Sequence, residues 1–464
     1  MNRTVVLLLA AFVLSATPAL AAAPFLDYPP LLYKIPPVSE TMLPSGNTAL
    51  HLVDREVPLI SFRMLLKAGS VLDPYDKKGL TELLFRTIRT SATSGMTYDK
   101  INNFIEGNGI TLEFGVSDDA VTAYISCGRE HIFKTLDILF SMLSSSMLDE
   151  EAFLKRQKEE GERIRRQNEN IKECAFREFN KITYGETHPR GAAPAPDSVR
   201  GMTREDILKA YPVKASLEGA LIGLSGDLDT QPLLAYLNDK IAAARGDMAE
   251  KPAVKQDLPP LSKNPRRLFH FRKEAAQAGL IMGHAGVNLH SSDSYSITVF
   301  NALFGTSSMS SLLSKKIRIE LGLSYKASGA IGAGLDTGIF YMYCECDTDK
   351  LPEAAAAAVS VLLGMRDFDD SAALALAKDS IINDYIFNFD SSAAVVSRLM
   401  RVRFFGYPET YLDNYIENIA RVSEEDIRRA AREYIDPRSL RTLVVGPAGI
   451  SKDIWNSLDN ILPR

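Results

Sequence analysis

A chain of 464 residues with 46% hydrophobic and 24% charged residues has the composition of an ordinary globular protein. It exceeds the usual size of one hydrophobic core, so two or more domains are expected. The formal net charge of −5 argues against a nucleic-acid surface, and four cysteines, Cys127, Cys174, Cys344 and Cys346, are too few for a disulfide scaffold.

The N-terminus carries Arg3, an apolar run from Val5 to Ala16, and then Ala19-Leu20-Ala21. That order of charge, apolar stretch and small residues is the pattern of a secretory signal over 1–21. The run is too short to span a bilayer, no later stretch looks transmembrane, and no cysteine stands at the junction to carry lipid. The expectation is a periplasmic or secreted protein without a membrane anchor, cleaved near Ala21.

Alternation and helical periodicity predict strands over Ile60–Lys67, Thr122–Ser126, Ala278–Gly283 and Gly338–Cys346. They predict helices over Thr97–Gly107, His131–Leu143, Asp149–Lys181, Asp293–Phe304 and Ala372–Tyr385. Cys344 and Cys346 share one face of a strand, where they read as small buried residues. Strands and helices come in blocks rather than in strict alternation, which favours an α+β fold.

An internal repeat organises the whole. Met202-Thr-Arg-Glu-Asp206-Ile207 has a partner in Val422-Ser-Glu-Glu-Asp426-Ile427, offset by 220 (426 − 206). Leu221 to Gly226 and Leu443 to Gly446 repeat at the same offset (446 − 226), and Met64 to Gly69 faces Ile281 to Gly286 at 217 (286 − 69). Two homologous halves follow, 22–245 and 268–464, joined by a proline-containing linker over 246–267.

Residues 79–87 read Gly-Leu-Thr-Glu82-Leu-Leu-Phe85-Arg86-Thr. With the surrounding chain, this segment resembles the zinc-binding segment of the pitrilysin/insulinase family of inverted-zincin peptidases, which requires His-x-x-Glu-His. Here Glu82, Phe85 and Arg86 stand in those positions. Phe85 cannot accept a proton from water, and Arg86 stays cationic, so neither the general base nor the second imidazole is present. The resemblance implies two halves, each a mainly antiparallel sheet with helices packed on one side, enclosing a chamber. It extends to Gly185-Glu-Thr-His188-Pro189 and to Met309 through Tyr325, with Leu312 where the family usually has Arg.

By the same resemblance, Glu162, 76 residues past Arg86 (162 − 86), corresponds to the third zinc ligand, and Glu169 also matches. Either could equally be a solvated partner of the many Arg and Lys residues in that charge-dense helix. Two carboxylates without an imidazole do not make a zinc site. The six histidines, His51, His131, His188, His270, His284 and His290, show no i, i+4 pairing. Arg86 is expected to face Glu162 and to replace the lost metal with a fixed positive charge.

Arg318 and Tyr325 match an Arg and a Tyr that, in the resembling enzymes, reach from the second half towards substrate. The local alternative is that Arg318 caps a last helical turn and Tyr325 is a core strand residue. Some members of the family are heterodimers in which one subunit carries zinc and the other supplies the Arg/Tyr pair. The resemblance therefore implies a non-catalytic, peptide-binding subunit that holds no metal, paired with a zinc-motif homologue. A binding or scaffold protein without any catalysis, and a free-standing hydrolase with relocated chemistry, are the rival readings.

Overall fold

The computed structural model describes residues 34–246 and 259–463 apart from residue 308; the signal-like segment and much of the linker lie outside the described residues. The first half contains β1 (Ser39–Met42), β2 (Thr48–Val53), β3 (Leu59–Leu66), β4 (Thr111–Val116), β5 (Val121–Gly128) and β6 (Leu221–Gly226). Its helices are α1 (Leu80–Thr90), α2 (Tyr98–Gly107), α3 (Ile132–Ser145), α4 (Glu150–Gln167), α5 (Ile171–Tyr184), α6 (Pro196–Arg200), α7 (Arg204–Lys214) and α8 (Thr230–Gly246).

The second half adds β7 (Leu268–Arg272), β8 (Ala278–Ala285), β9 (Val287–Asn288), β10 (Ala327–Ile331), β11 (Ala333–Gly334), β12 (Ile339–Cys346) and β13 (Arg441–Gly446). Its helices are α9 (Ser294–Asn301), α10 (Leu351–Gly364), α11 (Ser371–Tyr385), α12 (Ser392–Phe405), α13 (Tyr415–Arg421), α14 (Glu424–Tyr434) and α15 (Lys452–Ile461). A wide-turned helical segment runs over Ser314–Glu320. Among the described residues no helix is long and apolar enough to cross a membrane.

The repeat is visible in the strand order. The first sheet runs β1-β2-β6-β3-β5-β4 and the second β10-β12-β8-β13-β7, so β2-β6-β3-β5-β4 recurs as β7-β13-β8-β12-β10. In each sheet one parallel pair, β2 with β6 or β7 with β13, stands among antiparallel neighbours. The 220-residue repeat motif is a helix start. Thr203 N–H donates to Asp206 Oδ2 at 2.9 Å, and Ser423 N–H donates to Asp426 Oδ2 at 2.9 Å. Each is a capping box that satisfies amide groups the first helical turn leaves free, and the Ile207 or Ile427 that follows is fully buried.

The predicted helix over Asp149–Lys181 is two helices. Asn170 ends the run by accepting the amide protons of Lys172 and Glu173, so α5 starts afresh in a new direction. This break sends α5 across to the second half's sheet, where Cys174, Ala175 and Phe179 pack with Ile281, Tyr343, Leu443 and Val445. Its counterpart α12, also of 14 residues and offset by 221 (392 − 171), lies on the first half's sheet, with Val396 and Met400 against Leu50 and Leu221. Each sheet thus carries its own helices on one face, as expected, and a single helix of the opposite half on the other. The described residues from Ile35 onward form one compact unit. Cys344 and Cys346 are buried together in the second core, and the four cysteines are free thiols.

Candidate functional site

Helix α1 starts at Gly79, whose φ of 96° is left-handed backbone that a side chain would strain. Its own N-cap offers no side chain, so Asp73 does the capping from outside. Asp73 is buried and accepts from the Gly79 and Thr81 amides at 3.2 Å, from the Thr81 hydroxyl, and from Lys214 Nζ of α7 at 3.0 Å. A carboxylate there complements the positive end of the helix dipole. Burial pulls the Lys214 ammonium below its ordinary value, against the pull of Asp73.

The apolar side of α1, Leu80, Leu83, Leu84, Phe85 and Ile88, is buried in the first core. Phe85 is 1% exposed and its ring lies 5.2 Å from that of Phe114 on β4. Its neighbours in sequence point to a cleft of about 630 Å³ lined by Glu82, Arg86, Glu160, Arg163, Arg190 and the Phe114–Val116 end of β4. A second hollow of about 330 Å³ shares Glu82, Arg86 and Phe114. Strand β4 is an edge of its sheet, paired only with β5 among the described residues.

Arg86 Nε is 2.5 Å from Glu82 Oε1, one helical turn back, and 3.4 Å from Glu160 Oε2 on α4. Glu160 has a fully buried side chain, and Arg163 grips both of its oxygens, with Nε to Oε2 at 2.8 Å. The Glu160 carboxylate in turn raises the Arg163 guanidinium above its ordinary value. A planar fork on a carboxylate is the strong form of this contact.

The carboxylate facing Arg86 is therefore Glu160 and not Glu162. Two residues along a helix is about 200° of rotation, which carries Glu162 to the outer face. There Glu162 and Glu169 are 53% and 62% exposed and both pair with Arg165, at 3.0 Å and 2.7 Å. Sequence reasoning passed over Glu160. Its signal was available in the helical phase it shares with buried Ile164 and in Arg163 three residues on.

Zinc does not fit this arrangement. Among the described residues no three His, Cys, Asp or Glu side chains converge to hold a metal ion. The two carboxylates at the cleft already have arginine partners, and a permanent guanidinium occupies the space between them.

Arg318 and Tyr325 sit elsewhere. Arg318 is half-buried on the Ser314–Glu320 segment, and Tyr325 is 85% exposed beyond Gly322, two residues before β10 begins, so it is not a core strand residue. Neither lines the cleft at α1. The two halves do meet at the cleft rim. Arg190 joins Asp336 of the second half at 2.7 Å and Asp119 of the first at 2.7 Å, and the Tyr184 hydroxyl donates to Thr337 O at 3.0 Å.

With this geometry in place, the relatives agree with it. Residues 54–194 match the family described as Insulinase (Peptidase family M16), and residues 201–381 match the Peptidase M16 inactive domain. The chain belongs to the insulinase family, as an inactive-type member. It is 21% identical over 274 residues to an uncharacterized zinc protease of Mycobacterium bovis, covering 58% of this chain and 62% of that protein's length. It is 20% identical over 449 residues to the mitochondrial-processing peptidase subunit beta of Blastocladiella emersonii, covering 92% and 93% of the two chains. The crystal structure of a peptidase M16 inactive domain from Pseudomonas fluorescens superposes with a TM-score of 0.78 at 17% identity, over 89% of this chain and 99% of that one.

Proposed function

We propose that this protein is the non-catalytic, substrate-binding subunit of an exported heterodimeric zinc metallopeptidase that acts on peptides or unfolded segments. The observation that carries the reading is the Glu82–Arg86–Glu160 cluster. With Arg163 it balances two carboxylates against two guanidinium groups where the resemblance would put a metal site, at a cleft that also reaches the β4 edge. An extended peptide adding to that edge would gain main-chain hydrogen bonds over the cleft. Zinc would reside in the partner, a homologue that retains the metal motif. In keeping with a paired assembly, one relative is a named subunit of a processing peptidase. Tyr325 is exposed, and Arg318 has no carboxylate partner among the described residues, so both are free to face such a partner's substrate. There a phenol and a guanidinium would bind a peptide carbonyl or a developing oxyanion.

The test is purification of the tagged chain from its native host, followed by metal analysis of the recovered complex. The expected result is a zinc-motif homologue in equimolar amount, with one zinc per heterodimer assigned to that homologue. Recovery of the chain alone, free of zinc and able to bind peptide, would favour the scaffold reading.

A further inference from the structure

The two sheets match strand for strand except at one place. In the first half the outer edge of β2 is covered by β1, with Ser39 opposite His51 and Met42 opposite Thr48. In the second half β7, the counterpart of β2, pairs with β13 alone, and among the described residues no strand covers its other edge. The register tells which groups are left over. Thr442 N–H donates to Arg267 O at 2.7 Å and Lys273 N–H donates to Gly446 O at 2.9 Å, so the odd-numbered residues of β7 face β13. The main-chain groups of Leu268, His270 and Arg272 face outward. The Leu268 carbonyl is taken by Arg266 Nε at 2.6 Å, which leaves the Leu268 N–H and the N–H and C=O of His270 and Arg272 to the edge.

Strand β7 has a hollow on each face. One, of about 330 Å³, lies on the α5 side and includes Lys181, Arg266 and Phe269. The other, of about 650 Å³, lies on the α15 side and is lined by Arg266, Arg267, His270, Arg272, Trp455 and Asp459. Because side chains alternate along a strand, an added strand would send successive side chains into the two hollows in turn. The α15-side lining is cationic, with three arginines against Asp459, whereas the α5-side hollow also holds Glu178 and Glu186 beside Lys181. None of Arg266, Arg267 and Arg272 has a carboxylate partner among the described residues, although most arginines of this acidic chain do. Arg267 Nη2 is buried without a hydrogen-bond acceptor among the described residues. Arg266 lies over the Phe269 ring at 5.2 Å, which holds its guanidinium at the strand.

We propose that the free edge of β7 binds an extended, acidic segment of a partner protein, which joins the second sheet as its sixth strand in the place that β1 fills in the first. A second copy of this chain is a poor occupant, since pairing β7 with itself would bring the arginine clusters together without counter-charge. This inference does not rest on the function proposed above, because the two hollows share no lining residue with the cleft at α1.

The test is fluorescence anisotropy with the full chain and a labelled, end-capped octapeptide of alternating glutamate and valine. Binding is expected, with affinity falling on the order of ten-fold between about 50 and 500 mM salt, because ionic contacts at an exposed edge are screened. A similar loss is expected when alternate peptide amides are N-methylated, which removes donors to the edge without touching the protein. The Arg266→Glu/Arg272→Glu double variant alters two exposed side chains, and it should keep its melting temperature and lose the peptide. Equal binding of a lysine–valine octapeptide, or indifference to both N-methylation and the double variant, would overturn the proposal. Loss of the peptide in Arg86→Glu but not in the double variant would place it in the cleft instead, and a dimer dissociated by the double variant would show the edge taken by a second copy; either outcome overturns it.

Discussion

Arg86 Nε stands 3.4 Å from Glu160 Oε2, tying α1 to α4 across the cleft. The contact matters because the Glu160 side chain is wholly out of water while Arg86 is 39% and Arg163 34% exposed. An internal carboxylate is paired with two cations at its rim.

Removing those cations one at a time should be unequal. Arg163→Ala breaks a two-pronged contact, and after allowance for its exposure a loss of about 2 kcal/mol in urea unfolding is expected. Arg86→Ala should cost roughly 0.5–1 kcal/mol. In a double-mutant cycle Glu160→Gln should suppress most of both losses, whereas Glu162→Ala should stay within about 0.5 kcal/mol of wild type. Additive effects of Arg163→Ala and Glu160→Gln would contradict the pairing.

Restoring the zinc motif by Glu82→His, Phe85→Glu and Arg86→His is expected to recover metal binding before any activity, because supporting groups around the ligands must also be in place. The geometry adds a sharper expectation. Zinc uptake by the triple variant should be abolished by Glu160→Gln and spared by Glu162→Gln, measured as bound zinc per chain after dialysis. The apo triple variant should be less stable than wild type, since Phe85→Glu puts a carboxylate in a position whose native ring is 1% exposed.

In the proposed heterodimer, Arg318→Ala or Tyr325→Phe should lower kcat on the order of 10²-fold with zinc content and assembly unchanged, the scale for one transition-state donor. Neither substitution should shift the melting temperature of the isolated chain appreciably, as Tyr325 is 85% exposed. Full turnover in both variants would remove the shared-site reading.

Acid should destabilise the protein partly through His284. Its Nδ1–H donates to Ala285 O at 2.6 Å and its Nε2 accepts the Asp436 amide at 3.2 Å, an arrangement only the neutral ring can make. Burial, the main cause, holds its pKa below the ordinary value. Above the unfolded pKa of about 6.5 both states are neutral and the stabilisation is complete. As pH falls below that value the unfolded ring protonates first, so folding stability declines, by at most about 1.4 kcal/mol per pH unit. Denaturant midpoints between about pH 7 and 5 should fall less steeply in His284→Gln, with a residual slope from His51 and His188, which burial also lowers.

The exchanged helices predict a further sensitivity. A Cβ at Gly223 of β6 would run into Met400 and come within 2.8 Å of Val396, both on α12, and one at Gly279 of β8 would meet Ile171 of α5 at 2.6 Å. Gly223→Leu and Gly279→Leu should each destabilise by about 1–3 kcal/mol through overpacking, read as a lowered unfolding midpoint. A neutral result at either site would mean that the crossing helix is not held against the sheet.

What could be read from the chain followed from periodicity and from local hydrogen bonding. The strand over Leu59–Leu66 alternates and the one over Ile339–Cys346 is an apolar run broken only by Glu345, so their extent was set within a residue or two, and the repeat at 220 exposed two similar halves because Thr203/Asp206 and Ser423/Asp426 are short-range caps. The continuous helix expected through Asp149–Lys181 failed because charge periodicity persists across Asn168–Asn170, and only the side-chain cap at Asn170 reveals the break.

At the candidate site, the sequence by itself determined that the base and one ligand of the metal motif are absent, since Phe85 and Arg86 cannot take those roles in any fold. Tertiary structure decided which carboxylate answers Arg86. Glu160 and Glu162 are equivalent by composition and separated by two residues, and the choice between them depends on which side of α4 meets α1. It also decided that α5 and α12 trade sheets and that no described strand covers the outer edge of β7, because burial and strand pairing join residues hundreds of positions apart, where no local pattern in the chain records the contact.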